Sequence, residues 1–184
     1  MLFDIAGFTN LTQDHLDLHG TMEDYFATKA ELFTPGRALK AVVTVDDEWG
    51  RRLAATARIP VITLSMTPGG APTDWTVTST SARGLGTDFS LQGADGATLN
   101  VHTGLPGAFN VANAALAAVM VLASGMDVTT VQAALDHHDP SPWRYRDACS
   151  SSPKNRRPSW TSPTTLMHSH AHLKRSGHHC QAPG

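Results

Sequence analysis

The sequence predicts an α/β fold: part of a parallel sheet with flanking helices, joined by a small antiparallel subsheet. Three observations carry this. "ALKAVVTVDDEWGRRLAATARIPVITLS" reads as strand, helix, strand, and apolar strands joined by a helix pair in parallel with both faces covered. From Asp74 to Thr103 the pattern becomes an alternation of Thr, Val and Phe with Gly-containing turns such as Gly93-Ala94-Asp95-Gly96, the signature of antiparallel hairpins. "GLPGAFNVANAALAAVMVLASGM" then gives an Ala-rich helix ending at Gly125.

The elements follow in order. Met1 to Ala6 reads as the end of a strand that began upstream, so the start is read as a truncation. A helix opens at Thr21, its candidate N-cap, with Asp24 three residues on, a weaker relative of the capping box. Met22, Tyr25, Phe26, Lys29, Leu32 and Phe33 keep to one helical face, and Pro35-Gly36 stops it. Ala41–Val45 and Val61–Leu64 are the parallel strands, with a helix from about Asp47 to Ala57 between them. Asp47 caps that helix and Asp46 is loop. Asn110 is expected to cap the Ala-rich helix, and Asp127 or Thr129 the next, "DVTTVQAALD".

After about Asp136 the text changes. Residues 137–184 are dense in Ser, Pro, Arg and His, and no helical or strand period can be drawn on them, which predicts disorder. The expected organisation is therefore a folded unit over 1–136 and a disordered tail over 137–184.

Composition excludes several classes. With a net charge of −2 and 16% charged residues, no basic field points to nucleic acid or a membrane surface. The longest apolar stretch, Ala112 to Ala123, is too short to cross a bilayer. No signal peptide opens the chain. Cys149 and Cys180 match no zinc spacing and no disulfide framework, which fits a reducing cytoplasm.

Chemistry concentrates in "FTNLTQDHLDLHGTMEDYFATKAELF", Phe8 to Phe33. A lysine close to a divalent cation would repel it as an ammonium. After reaction with carbon dioxide it becomes a carbamate, an anionic oxygen ligand suited to magnesium. The plainer reading is a surface helix on which Lys29 pairs with a carboxylate.

The run "TNLTQDHLDLHGTMEDYFATKAELF" closely resembles the central-domain motif of the Mur ligases, specifically those of the MurE type. The resemblance implies that His15 of the Asp-His pair binds magnesium, that Lys29 is carbamylated and shares the metal, and that His19 faces substrate. "GLPGAFNVANAALAA" resembles the stretch leading into the helix beside adenine, which implies Asn113 as an ATP contact through an amide that can both donate and accept. ATP and Mg2+ are the implied cofactors. UDP-N-acetylmuramoyl dipeptide and an amino acid, meso-diaminopimelate or lysine, are the implied substrates of a monomeric cytoplasmic ligase.

The resemblance covers roughly residues 3–136. The glycine-rich phosphate loop ending in Gly-Lys-Thr is not in the chain, so the chain is expected to be inactive alone. Downstream the family continues into "PGRM" and then "DFAH" with "xPxAL". Neither stands in the tail, yet both can be read from codons compatible with Pro142–Ser150 and Ser159–Ser169 in one alternative register. The Asp is forced by the Trp160 codon and the final Ala by Met167 followed by His168. This implies a single insertion or deletion near residues 136–142 and an out-of-frame tail. Two rivals stay open: a related Mur-type ligase, and a non-catalytic metal-binding protein acting through the tail's "HSHAHLKRSGHHC".

Overall fold

A computed structural model describes residues 1–12 and 21–137. The expectations placed on the tail, including Cys149, Cys180 and most of the histidines, lie outside the described residues.

Six strands form one sheet in strict sequence order: β1 (Phe3–Phe8), β2 (Ala38–Thr44), β3 (Val61–Ser65), β4 (Trp75–Arg83), β5 (Gly86–Gly93) and β6 (Thr98–Thr103). The helices are α1 (Met22–Ala30), α2 (Glu48–Thr56), α3 (Ala108–Ala123) and α4 (Val128–His137). Strands β1 to β4 pair in parallel and β4 to β6 antiparallel. The expected antiparallel subsheet is thus continuous with the parallel half. The joint is short, Leu64 opposite Trp75 and Ser65 opposite Thr76. Side chains reinforce it. Asp74 accepts from the Thr63 backbone N–H and from its hydroxyl, each at 2.7 Å, while the Asp74 N–H donates to the Thr63 hydroxyl at 2.9 Å.

Strand β2 shows why the central run is apolar without interruption. Val42 faces one core, with Leu64, Phe89, Leu91 and Leu99 beneath α3 and α4. Its neighbours Ala41 and Val43 face the other, with Phe8, Phe26, Phe33 and Leu53 beneath α1 and α2. Strand alternation assigns successive residues to opposite faces, so a strand covered on both sides needs apolar residues throughout. Each fully buried leucine contributes about 2 kcal/mol. Helix α3 packs tightly over Gly7, where a Cβ would stand 2.8 Å from Met120 Sδ.

The caps decide where helices start. The Asp24 N–H donates to the Thr21 hydroxyl at 3.1 Å, and that hydroxyl donates to the Asp24 carboxylate at 2.7 Å. α1 is shorter than its apolar face implies: it gives way to a 3-10 turn, Glu31–Phe33, before Pro35. Asp47 caps α2 by accepting from the Gly50 N–H at 2.6 Å. Asp127, not Thr129, caps α4, accepting from the Thr130 N–H at 2.8 Å. Asn110 is not the cap of α3. Gly107 holds that position at φ 104°, in the left-handed region that favours glycine, and the helix starts earlier than expected. Asn110 lies inside the first turn, and its amide donates back to the Pro106 carbonyl at 2.7 Å.

Candidate functional site

The direction of α3 fixes the frame. Near its end, the Ala123 carbonyl accepts from the ammonium of Lys40, close to the start of β2. α3 therefore runs against the parallel strands, and its first turns lie toward their C-terminal ends. Crevices outside those ends are where open α/β sheets hold ligands. Asn113 stands in the second turn of α3, exposed, between Val111 and Ala115, which are buried in the core.

Lys29 lies in the last turn of α1, on the helices of the opposite sheet face. It is half-buried, and its ammonium sits 4.7 Å from the centroid of the Tyr25 ring, one turn earlier, a cation–π distance. His15 and His19 lie outside the described residues, so the His15–Lys29 pairing expected from the sequence does too. Among the described residues, no group of three His, Cys, Asp or Glu side chains gathers in a way that could hold a metal. As an ammonium Lys29 is no metal ligand; only a carbamate there would supply the oxygens that magnesium takes.

α1 meets α2 through a layered contact. The Phe26 and Trp49 rings are 5.3 Å apart and tilted by 37°. The Arg52 guanidinium lies 4.6 Å from the Phe26 centroid and 5.6 Å from that of Trp49. One guanidinium nitrogen donates to both oxygens of Glu23, at 2.9 and 2.7 Å. Sequence reasoning did not find this contact. The helical face on α1 was visible, but its partner residues are far away in the chain.

The β2–α2 turn is also more than the plain loop expected at Asp46. The Asp46 carboxylate accepts from the Ser65 hydroxyl at 2.8 Å and from the Met66 N–H at 2.9 Å, holding the exit of β3. Arg51 donates to the Asp46 carbonyl at 2.9 Å. Beyond β3, a groove of about 310 Å³ is lined by Thr67, Gly69, Gly70, Thr73, Thr76 and Gln92. It includes neither Lys29 nor Asn113. No described helix is long and apolar enough to cross a membrane.

A parallel sheet continued by antiparallel strands, with a lysine-bearing helix after β1 and an asparagine-bearing helix after β6, defines the class as a mixed-sheet α/β domain covered by helices on both faces. Residues 1–121 match the family model described as Mur ligase middle domain, and the chain belongs to that family. It is 52% identical over 134 residues to the UDP-N-acetylmuramyl-tripeptide synthetase of Leifsonia xyli subsp. xyli (strain CTCB07), across 73% of this chain and 26% of that protein. It is 45% identical over 126 residues to the UDP-N-acetylmuramoyl-L-alanyl-D-glutamate–2,6-diaminopimelate ligase of Streptomyces coelicolor, across 68% of this chain and 25% of that protein. Among solved structures, a UDP-N-acetylmuramoyl-L-alanyl-D-glutamate–2,6-diaminopimelate ligase superposes with a TM-score of 0.64 at 28% identity, over 76% of this chain and 29% of that one. The chain spans about a quarter of the length of the curated relatives it matches. These relatives bear names of the MurE type.

Proposed function

We propose that the chain is the middle-domain portion of an ATP-dependent ligase. That ligase adds the third amino acid, meso-diaminopimelate or lysine, to UDP-N-acetylmuramoyl-L-alanyl-D-glutamate in peptidoglycan synthesis. The observation that supports this most directly is Lys29 on the Thr21-capped helix that follows the Asp14-His15 pair, inside an ungapped family motif.

In this reading ATP activates the γ-carboxylate of the D-Glu residue as an acyl phosphate. The incoming amine attacks it, and loss of phosphate leaves the amide. Bound Mg2+ neutralises the crowded phosphate oxygens. His15 and a carbamylated Lys29 hold that ion, His19 faces the substrate, and the Asn113 amide reads the adenine edge. The enzyme works in the cytoplasm as a monomer. The ligase fold occupies residues 1–136, and residues 137–184 are the product of a shifted reading frame. The 184 residues contain no Gly-Lys-Thr phosphate loop, so turnover is expected only from a longer polypeptide.

The test uses a polypeptide carrying this domain between a phosphate-loop segment and an in-frame C-terminal domain. Lys29→Ala should abolish tripeptide formation, and added short carboxylates should partly restore it. Near-normal turnover by that variant would defeat the metal-side assignment. Sequencing the genomic locus checks the shifted frame separately.

A further inference from the structure

We propose that the outer edge of β4 is a peptide-pairing site that takes the L-alanyl-D-glutamyl stem of the UDP-linked substrate by main-chain hydrogen bonds; this rests on the ligase reading above. Strand β3 ends at Ser65, opposite Thr76. β4 runs on in the same direction to Arg83. At about 3.3 Å per residue, Val77–Arg83 overhangs the C-terminal end of β3 by roughly 20 Å. On one side the overhang pairs with β5. Its other side borders the space beyond the ends of β3 and β2, where open α/β sheets hold ligands. A bulge between Val77 and Ser79 lies where the overhang leaves the parallel strands, and bulges bend the strand that carries them.

That second side is open. Thr78 to Arg83 are all exposed, and among the described residues no backbone group pairs with them there. By contrast the far edge of the sheet, on β6, is covered by Gln132. The overhang also lacks the Pro and Lys that blunt edge strands, with only Thr, Ser and Ala between Val77 and Arg83. Its hydrogen-bonding groups follow from the register. Arg83 and Gly86 flank the turn Gly84-Leu85, with Gly84 at φ 59°, and the pair that closes such a turn is hydrogen-bonded. Pairs alternate along an antiparallel ladder. Ser81 and Ser79 therefore bond to β5, and Thr80 and Ala82 turn their N–H and C=O groups outward. Such a short row of outward donors and acceptors suits a short extended peptide. Arg83 supplies charge complementarity: its side chain is 70% exposed and stands 3.7 Å from Asp88, open to a carboxylate of the D-Glu residue.

The test titrates N-acetyl-L-alanyl-D-glutamate into the 15N-labelled 184-residue chain and follows the backbone amides by NMR. The Thr80 and Ala82 amide protons should move downfield together, with Ser79 and Ser81 moving much less, at a Kd on the order of 1 mM. Ala82→Pro removes one outward donor, a change that an edge strand accepts where the N–H is unpaired. The melting temperature should hold while Kd rises about 10-fold. Arg83→Gln should weaken binding of this peptide several-fold and leave that of N-acetyl-L-alanyl-D-alanine amide unchanged. No response at Thr80 and Ala82 up to about 10 mM peptide overturns the proposal. So does an equal response at Ser79 and Ser81, or an unchanged Kd in Ala82→Pro. In the longer polypeptide, Ala82→Pro should raise the KM for the UDP-linked dipeptide and leave the KM for ATP in place. Failure of the ligase reading looks different. That polypeptide would form no tripeptide, with the response of Thr80 and Ala82 to the peptide intact.

Discussion

Gln132 acts as a strand for Asn100. The Asn100 N–H donates to Gln132 Oε1 at 2.8 Å, and the Asn100 carbonyl accepts from Gln132 Nε2 at 3.1 Å. Strand β6 is the last in the sheet, and its outer backbone groups form an open edge that other chains could pair with. One amide from α4 closes the middle of that edge, and a further bond from Gln132 to Asp136 at 2.7 Å steadies the side chain.

Gln132→Ala should therefore lower the unfolding free energy by about 1 kcal/mol, the net worth of a partly solvated pair of hydrogen bonds. Urea unfolding would show a lower midpoint with an unchanged slope. The opened edge should also raise self-association at high concentration, read by light scattering. A variant with the parent midpoint would show that the edge needs no cover.

Gly50→Ala should be far more damaging. A Cβ at that position would stand 1.9 Å from the Thr44 carbonyl oxygen and 3.3 Å from the capping carboxylate of Asp47. Both neighbours are fixed, one by the sheet and one by its cap, so the β2–α2 turn would have to open. The expected loss is about 3 kcal/mol, at the upper end of overpacking costs, seen as a fall in melting temperature. A drop no larger than that of an exposed alanine substitution would contradict the turn geometry.

Acid sensitivity should come in part from the α4 cap. The Thr129 hydroxyl, then the Thr130 hydroxyl and N–H, hold the Asp127 carboxyl well below the usual carboxylate range. With the folded value depressed, the cap's contribution is complete above the unfolded pKa near 4 and is lost as pH falls below it. Asp127→Asn should keep a capping oxygen while flattening this part of the pH dependence below about pH 4. The measurement is thermal stability against pH for both proteins. Parallel curves would remove Asp127 from the account.

Much of this architecture was legible because local chemistry decided it. Thr21 and Asp47 announce their helices by side chains that reach donors three residues away. The βαβ run and the Gly-turned hairpins follow from periodicity alone. The start of α3 was misread because Asn110 is a good capping residue by type, whereas Gly107 caps by adopting a positive φ that composition does not display. The parallel joint between β3 and β4 was not legible either, since it depends on Asp74 reaching back to Thr63 across a loop. The same holds for Arg52 on Glu23 and Gln132 on Asn100. Each spans far too much chain for any spacing rule. Of the site residues, Lys29 and Asn113 were found on the helices predicted for them, while His15 and His19 lie outside the described residues.

Asn113 offers the sharpest test of the nucleotide side. α3 buries Val111, Ala115 and Val119 against the sheet, so Asn113 points away from the core and its amide carries no part of the packing. An adenine edge presents one donor and one acceptor to such an amide, and only a side chain with both can answer. In a polypeptide with intact ligase activity, Asn113→Ala should raise the KM for ATP about 10- to 100-fold, the cost of two lost hydrogen bonds. The KM for the UDP-linked dipeptide should hardly change. Preference for ATP over GTP should shrink, because in the proposed reading the lost contact is the one that reads the base. Thermal stability should stay within about 0.5 kcal/mol of the parent, as for other exposed positions. If stability fell while the KM for ATP held, Asn113 would be a structural residue and adenine would have to be read elsewhere.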